Sequence, residues 1–399
     1  MKTILRGATL IDGTGRPPIY NSVIIVDNGI IKNVGATSYT DTIEGGAQVI
    51  ELDGHTIIPG LIDAHIHMDL HGMANTYEEN LVEDKLRSIR TACDMEVTLK
   101  RGITTIRNAG SVNHIDFAVK EAVDNGWCNG PNIITCGRIL SITASGNDYF
   151  KGMYREADGV HEVRKAAREQ IKNGAGFLKV MATGAYMNPG GVPGATQFEE
   201  DELKAIVQEA NKLELKVAAH AHGKEGIMNA IRAGVDTIEH GTFMDDEAID
   251  LLIEKQIYLI PTYVAGHLML KNGVENGVPA HMIQKNSRIR EIRGKNLKKA
   301  IDAGVKVAFG SDAGTNYNYH GNNALELILY VNEGFMDSIK AICSATKMSA
   351  EALGISDKTG TLEVGKAADI VVVNGVLEQS LEPLMDSVIM VFKDGQLVK

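Results

Sequence analysis

Cysteine is scarce and scattered. Only Cys93, Cys128, Cys136 and Cys343 occur, none in a CxxC or Cys/His pair, so they read as isolated buried thiols in a reduced setting. Long apolar runs are missing too. Met1-Lys2-Thr3-Ile4-Leu5-Arg6-Gly7 reaches a turn before any such run begins, and nothing approaches ~18 apolar residues. The expectation is therefore neither signal peptide nor membrane span, with the cytoplasm as default. Basic excess is absent: the formal charge is −11, which argues against nucleic acid and an anionic membrane surface as partners. No GxxxxGK[ST] phosphate loop and no G-x-S-x-G nucleophile elbow appear.

Glycine, at 42 of 399 residues, is plentiful and suits a fold with many strand–helix turns. The first ~55 residues alternate in hairpin fashion, as in Val23-Ile24-Ile25-Val26-Asp27-Asn28-Gly29. The last ~40 share that texture, notably Ile370-Val371-Val372-Val373-Asn374-Gly375. Neither end makes a stable sheet easily alone. Together, residues 1–56 and 359–399 are expected to form one small β-sandwich.

Between 57 and 358 the pattern becomes strand, loop, amphipathic helix, repeated. Strands are predicted near 57–63, 103–108, 132–137, 177–182, 215–219, 236–239, 257–262 and 306–310. Their continuously apolar, β-branched character fits a parallel sheet buried on both faces. Helices are predicted over 160–173, 199–213 and 281–303. Eight repeats fit an α/β fold, a (β/α)8 TIM barrel, whose strand carboxyl ends share one mouth.

Several strands end on residues that bind metal. In His65-x-His67 alternation turns both imidazoles to one side, with Asp63 on the same face to orient a ligand. Lys179 sits inside Phe177-Leu178-Lys179-Val180-Met181, where a lysine is costly unless paired or neutralised. A neutral amine can take up carbon dioxide as a carbamate able to bridge two metals; the lesser alternative is a lysine snorkelling from a strand end. His220 and His240 each close a strand before a glycine and complete a second metal's set, although one strand-end histidine alone is more often structural. Glu239 is expected to point opposite to His240 and pair within the sheet wall.

Asp312, in Gly310-Ser311-Asp312-Ala313-Gly314, would touch the first metal and shuttle a proton, unless it is a helix cap. His222 lies further out than His220 and is a candidate catalytic and substrate-binding residue, or a structural imidazole. Tyr263 and His320 are candidate substrate contacts, and 187–194 reads as a mobile loop over the mouth. His55, His71, His114, His161, His267 and His281 read as surface or packing residues.

As a set, Pro59-Gly60-Leu61-Ile62-Asp63-Ala64-His65-Ile66-His67, Lys179-Val180-Met181-Ala182-Thr183-Gly184, Ala218-Ala219-His220-Ala221-His222-Gly223, Ile238-Glu239-His240-Gly241-Thr242 and Gly310-Ser311-Asp312-Ala313-Gly314 resemble the amidohydrolase superfamily. The resemblance is to the branch of prolidase-like and Xaa-Arg dipeptidases and imidazolonepropionase-related hydrolases, and runs nearly end to end. It implies two divalent ions, usually zinc. His65, His67, Lys179 and Asp312 would hold the first, and carboxylated Lys179 would bridge to the second on His220 and His240. His222 matches a substrate-binding position of related dipeptidases. A homo-oligomer is implied by family habit.

One departure stands out: relatives often carry Gly-Gly-His-Gly after the third strand, where this chain has Ile142-Thr143-Ala144-Ser145-Gly146-Asn147-Asp148. The reading is a binuclear amidohydrolase cleaving a small-molecule amide, a dipeptide or N-acyl amino acid. The alternatives are a cyclic-amide hydrolase, an aminohydrolase of a heterocycle, or an inactive scaffold.

Overall fold

A tight hairpin begins the chain's first sheet. Ser22–Asp27 pairs antiparallel with Ile30–Ala36 across Asn28 and Gly29, whose φ of 49° and 79° suit a two-residue turn that follows the strand twist. The computed structural model describes residues 2–36, 46–190 and 192–399. Met1, residues 37–45 of the expected sandwich segment and Gly191 of the 187–194 loop lie outside them. Lys2–Arg6 and Gln48–Glu51 complete this four-stranded sheet.

A second sheet joins the two ends of the chain. Its order is Gln396–Leu397, Val388–Lys393, Ile370–Val373, Thr56–Pro59 and Thr9–Leu10. Leu5, Ile24, Ile31, Ile57, Ile370 and Phe392 share one buried cluster, so both ends contribute to a single core. Pairing with the C-terminal strand continues through Ile57, Ile58 and Pro59, past the expected boundary at residue 56.

The remaining chain is α/β with parallel strands. Leu61–Ile66, Ile103–Asn108 and Asn132–Thr135 form one sheet. Phe177–Met181, Lys216–Ala221, Thr237–His240 and Tyr258–Ile260 follow in order in another. The segment after residue 305 touches both. It bridges Leu259 through Val307, while Ala64 N donates to Phe309 O at 2.9 Å and Asp312 N to His65 O at 2.7 Å. Gly176 N donates to Thr135 O at 2.8 Å, joining the third strand to the entry of the fourth. Residues of Ile103–Asn108 and Phe177–Met181 are buried on both faces, which explains the apolar run around Lys179 in the second.

Helices cover these strands by the usual physics. Gly159–Lys172 buries Val163, Ala166, Ala167 and Gln170 at three- and four-residue spacing. Glu199 and Glu202 form a reciprocal capping box at the start of Glu200–Asn211. Three expectations need correction. The 281–303 helix is two, Ala280–Ser287 and Arg290–Ala303, because Ile289 leaves helical geometry (φ −117°) and buries its side chain between them. The eighth strand is only a bridge at Val307. Of the four thiols only Cys136 is buried, and Cys93 is exposed. Among the described residues no helix is long and apolar enough to cross a membrane.

Candidate metal centre

Two groups of donors meet where the parallel strands end. In the first, His65 Nδ1–H donates to Glu239 Oε2 at 2.5 Å and His67 Nδ1–H to the Gly110 carbonyl at 3.1 Å. With both Nδ1 atoms so engaged, each Nε2 is left with its lone pair. Those Nε2 atoms stand 3.5 and 3.6 Å from Asp312 Oδ1, which is buried and has no hydrogen-bond partner. Two lone pairs facing a carboxylate oxygen repel unless a cation lies among them.

The second group is His220, His222 and His240, each offering a ligand atom within 4.8 Å of the others. His240 Nδ1 bonds to Thr262 Oγ1 at 2.6 Å, and His240 Nε2 lies 2.9 Å from His220 Nδ1, the convergence a shared cation would satisfy. His222 differs. Its Nδ1 meets the hydroxyls of Thr242 (2.8 Å) and Tyr186 (3.2 Å), and its Nε2 is buried without a partner. The His65 and His240 rings are 5.2 Å apart, so the two groups adjoin.

Lys179 lies in the same cavity, 2 % exposed. Burial lowers its pKa, Arg107 adds to that, and Glu239 and Asp312 oppose it. Burial also holds His67 down to about 4 and His222 to about 3, and keeps His65, His220 and His240 below the ordinary histidine range. Neutral imidazoles, a carboxylate and an amine inclined to be neutral are the donors that a divalent ion of zinc's kind takes. The residues fit the group.

Glu239 departs from expectation. It pairs with Arg107 at 2.7 Å, as a wall residue would, yet also holds His65. Strict alternation would set Glu239 and His240 on opposite faces. His240 has φ 70°, a left-handed conformation rare outside glycine, and this turns its ring back to the side Glu239 occupies. Burial works to raise the Glu239 pKa, but Arg107, His65 and Lys179 together hold it low. Arg107 was legible as a cation in Ile103-Thr104-Thr105-Ile106-Arg107; it is 1 % exposed and needs an acid.

Asp63 supports backbone rather than a ring. It accepts from His65 N (3.1 Å), Ser311 N (3.0 Å), Ser311 Oγ (2.5 Å) and Asn323 Nδ2 (2.8 Å), tying the two ligand-bearing segments together. Two expected substrate contacts lie outside the cavity lining. Tyr263 starts a helix, with its ring packed on Arg293 (4.9 Å) and Phe335 (5.1 Å). His320 Nε2 is bonded to the Leu70 carbonyl at 2.7 Å. Tyr186, not foreseen, does line the cavity. The 187–194 loop does reach the cavity but is tethered rather than free. His281 bonds to Met187 O at 3.2 Å and Lys285 to Asn188 O at 2.8 Å. The cavity holds ≈ 60 Å³ and is lined by the histidines and by the apolar cluster of Leu70, Ile139, Phe150, Met153 and Met181.

A histidine-rich centre at the ends of parallel strands defines a hydrolase class, and comparison narrows it. Residues 56–398 match the Amidohydrolase family, and the chain belongs to it. It is a hydrolase acting on C–N bonds. It is similar to ochratoxinase of Aspergillus niger, 32% identical over 100% of this chain and 86% of the relative. Among solved structures it resembles a Xaa-Pro dipeptidase with bound methionine in the active site (34% identity, TM-score 0.92, covering 100% of this chain and 99% of that one). It also resembles a prolidase complexed with N-methylphosphonate-L-proline (31%, TM-score 0.91, all of both chains).

Proposed function

We propose that this chain hydrolyses the amide bond of a dipeptide or N-acyl amino acid at a two-metal centre. The observation that carries the reading is the pair of donor groups, each with buried, unpartnered nitrogen or oxygen atoms, meeting beside a buried lysine. Two architectural elements belong to it: a β-sandwich from residues 1–56 and 359–399, and a (β/α)8 barrel over 57–358. The strand-to-strand hydrogen bonds that return from Phe309 to Ala64 support the barrel.

His65, His67 and Asp312 would hold one ion, His220 and His240 the other, and Lys179, as its carbamate, would bridge them. Zinc suits these donors. Bound ions of this kind acidify water and polarise a carbonyl. Asp312, with Oδ1 turned to the ion, takes a proton from the attacking water on its other carboxylate oxygen and delivers it to the leaving amine nitrogen. His222, with Nδ1 held by the Thr242 and Tyr186 hydroxyls, would keep its proton on Nε2 and hydrogen-bond through it to the substrate carbonyl oxygen as negative charge develops there. A cytoplasmic setting is supported by four unpaired thiols, and a homo-oligomer by family likeness alone.

The test is turnover of a dipeptide and N-acyl amino-acid library by protein loaded with zinc and bicarbonate, alongside metal content per chain. Turnover with two ions per chain is expected. No turnover on any linear amide, with both ions bound, would sink the reading, and activity confined to cyclic amides would replace it.

A further inference from the structure

Away from the histidines the cavity is a different environment. Leu70, Ile139, Phe150, Met153 and Met181 line it, each at most 4 % exposed. Apart from Lys179 and Asp312, no carboxylate, lysine or arginine lines it among the described residues. A charged substrate side chain would lose its hydration there without compensation. The space is small, but Met153 and Met181 are unbranched thioethers that re-pack readily around an entering apolar group.

Among the polar side chains that reach that wall, Asn188 stands out. Asn188 lines the cavity and is 4 % exposed, yet its Oδ1 has no hydrogen-bond partner. Burial pushes the neighbouring Tyr154 hydroxyl up to about 12, and the Asn188 side chain beside it opposes that rise. Asn188 is fixed from two sides. Lys285 Nζ donates to its carbonyl at 2.8 Å. On the other side Gly146, with φ 91°, packs so closely that a Cβ there would stand 2.9 Å from Asn188 Cβ. Gly146 belongs to the 142–148 loop, where this chain departs from its relatives' glycine–histidine run. A buried acceptor held in place and left unpaired is costly unless a ligand supplies the donor.

Building on the amide-hydrolase reading, the geometry points to Asn188 as a specificity-determining residue. Its Oδ1 receives a hydrogen-bond donor at the tip of an uncharged, mainly apolar substrate side chain of the phenol or indole kind. A site built to bond a substrate hydroxyl rejects the analogue lacking it far more strongly than an apolar pocket resolves a methylene.

The experiment measures kcat/KM for N-acetyl-tyrosine, N-acetyl-phenylalanine, N-acetyl-aspartate and N-acetyl-arginine, and for the matching Ala-X and X-Ala dipeptides. In at least one series tyrosine is expected to exceed phenylalanine about tenfold or more, with both charged residues lower still. Asn188→Leu should bring the tyrosine-to-phenylalanine ratio to one or below. A wild-type ratio at or below one in every series overturns the proposal, as does a ratio unchanged in the variant or a preference for a charged side chain. The wild-type ratio decides alone if Asn188→Leu does not fold. If nothing is turned over, calorimetric titration of the zinc-loaded protein with N-acetyl-tyrosine and N-acetyl-phenylalanine reads the same ratio in Kd. Tighter tyrosine binding then upholds the pocket while the hydrolytic reading fails; equal or absent binding overturns the pocket.

Discussion

Replacing Glu239 by glutamine tests whether the wall behind the first donor group sets its chemistry. Glu239 is fully buried and joins three partners, His65 at 2.5 Å through Oε2, and Arg107 at 2.7 Å and the Thr237 hydroxyl at 2.5 Å through Oε1. Arg107, 1 % exposed, has as other acceptors only the Ala64 carbonyl (2.7 Å) and Thr237 Oγ1 (3.2 Å). Glutamine keeps the shape and removes the charge, leaving a buried guanidinium with neutral acceptors. Breaking a buried pair from one side costs about 3–5 kcal/mol, much of it the uncompensated partner. His65 also loses the anion that fixes its tautomer, and losing such a supporting group lowers metal affinity roughly 10–100-fold. The assays are thermal unfolding of the zinc-free protein and competitive chelator titration of the first ion. Arg107→Met with Glu239→Gln should recover part of the lost stability, since the stranded cation is gone, but not the metal affinity. Unchanged stability and unchanged affinity in Glu239→Gln would refute the reasoning. A double variant less stable than the sum of the singles would refute the stranded-charge account alone.

His222→Ala should keep two zinc ions per chain yet lose about 10²–10³ in kcat, the usual scale for removing one donor to a developing oxyanion. Loss of an ion would make His222 a ligand instead. Glu326 provides a pH test away from the centre. Burial raises it to about 7, against hydrogen bonds from the Tyr263 and Val264 amides. Its folded pKa lies above the 4.5 of a free glutamate, so between these values the folded state binds more protons than the unfolded. Its contribution to stability is therefore present at low pH and lost as pH rises through that window. Denaturant unfolding at pH 5 and pH 8 should show a smaller fall for Glu326→Gln than for wild type; an equal fall would remove Glu326 as the source.

Much of this was readable because strands and helices announce themselves by burial period. Phe177–Met181 and Ile103–Asn108 are buried on both faces, and the charged residues within them, Lys179 and Arg107, are the informative ones. The donors that form the two groups, His65, His67, His220, His240 and Asp312, were legible from their places at strand ends. What pattern could not supply was direction at those ends. His240, Thr262 and Asp312 have φ of 70°, 48° and 57°, left-handed conformations that side chains seldom adopt. His240 is the last residue of its strand, and Thr262 and Asp312 lie past the regular pairing of theirs, where the period of two that orients a side chain no longer holds. Glu239 pairs with Arg107 as the wall reading expects, and its further bond to His65 is what periodicity does not reveal. Tyr263 was assigned to the cavity on position, although the turn at Thr262 starts a helix that carries its ring onto Arg293. Backbone strain of this kind persists only where surroundings over-determine it, and it gathers at functional sites. Here the over-determination is visible: Thr262 Oγ1 holds His240, and Asp312 N donates to His65 O. The residues that defeat periodic reading are therefore those tied most directly to the donor groups.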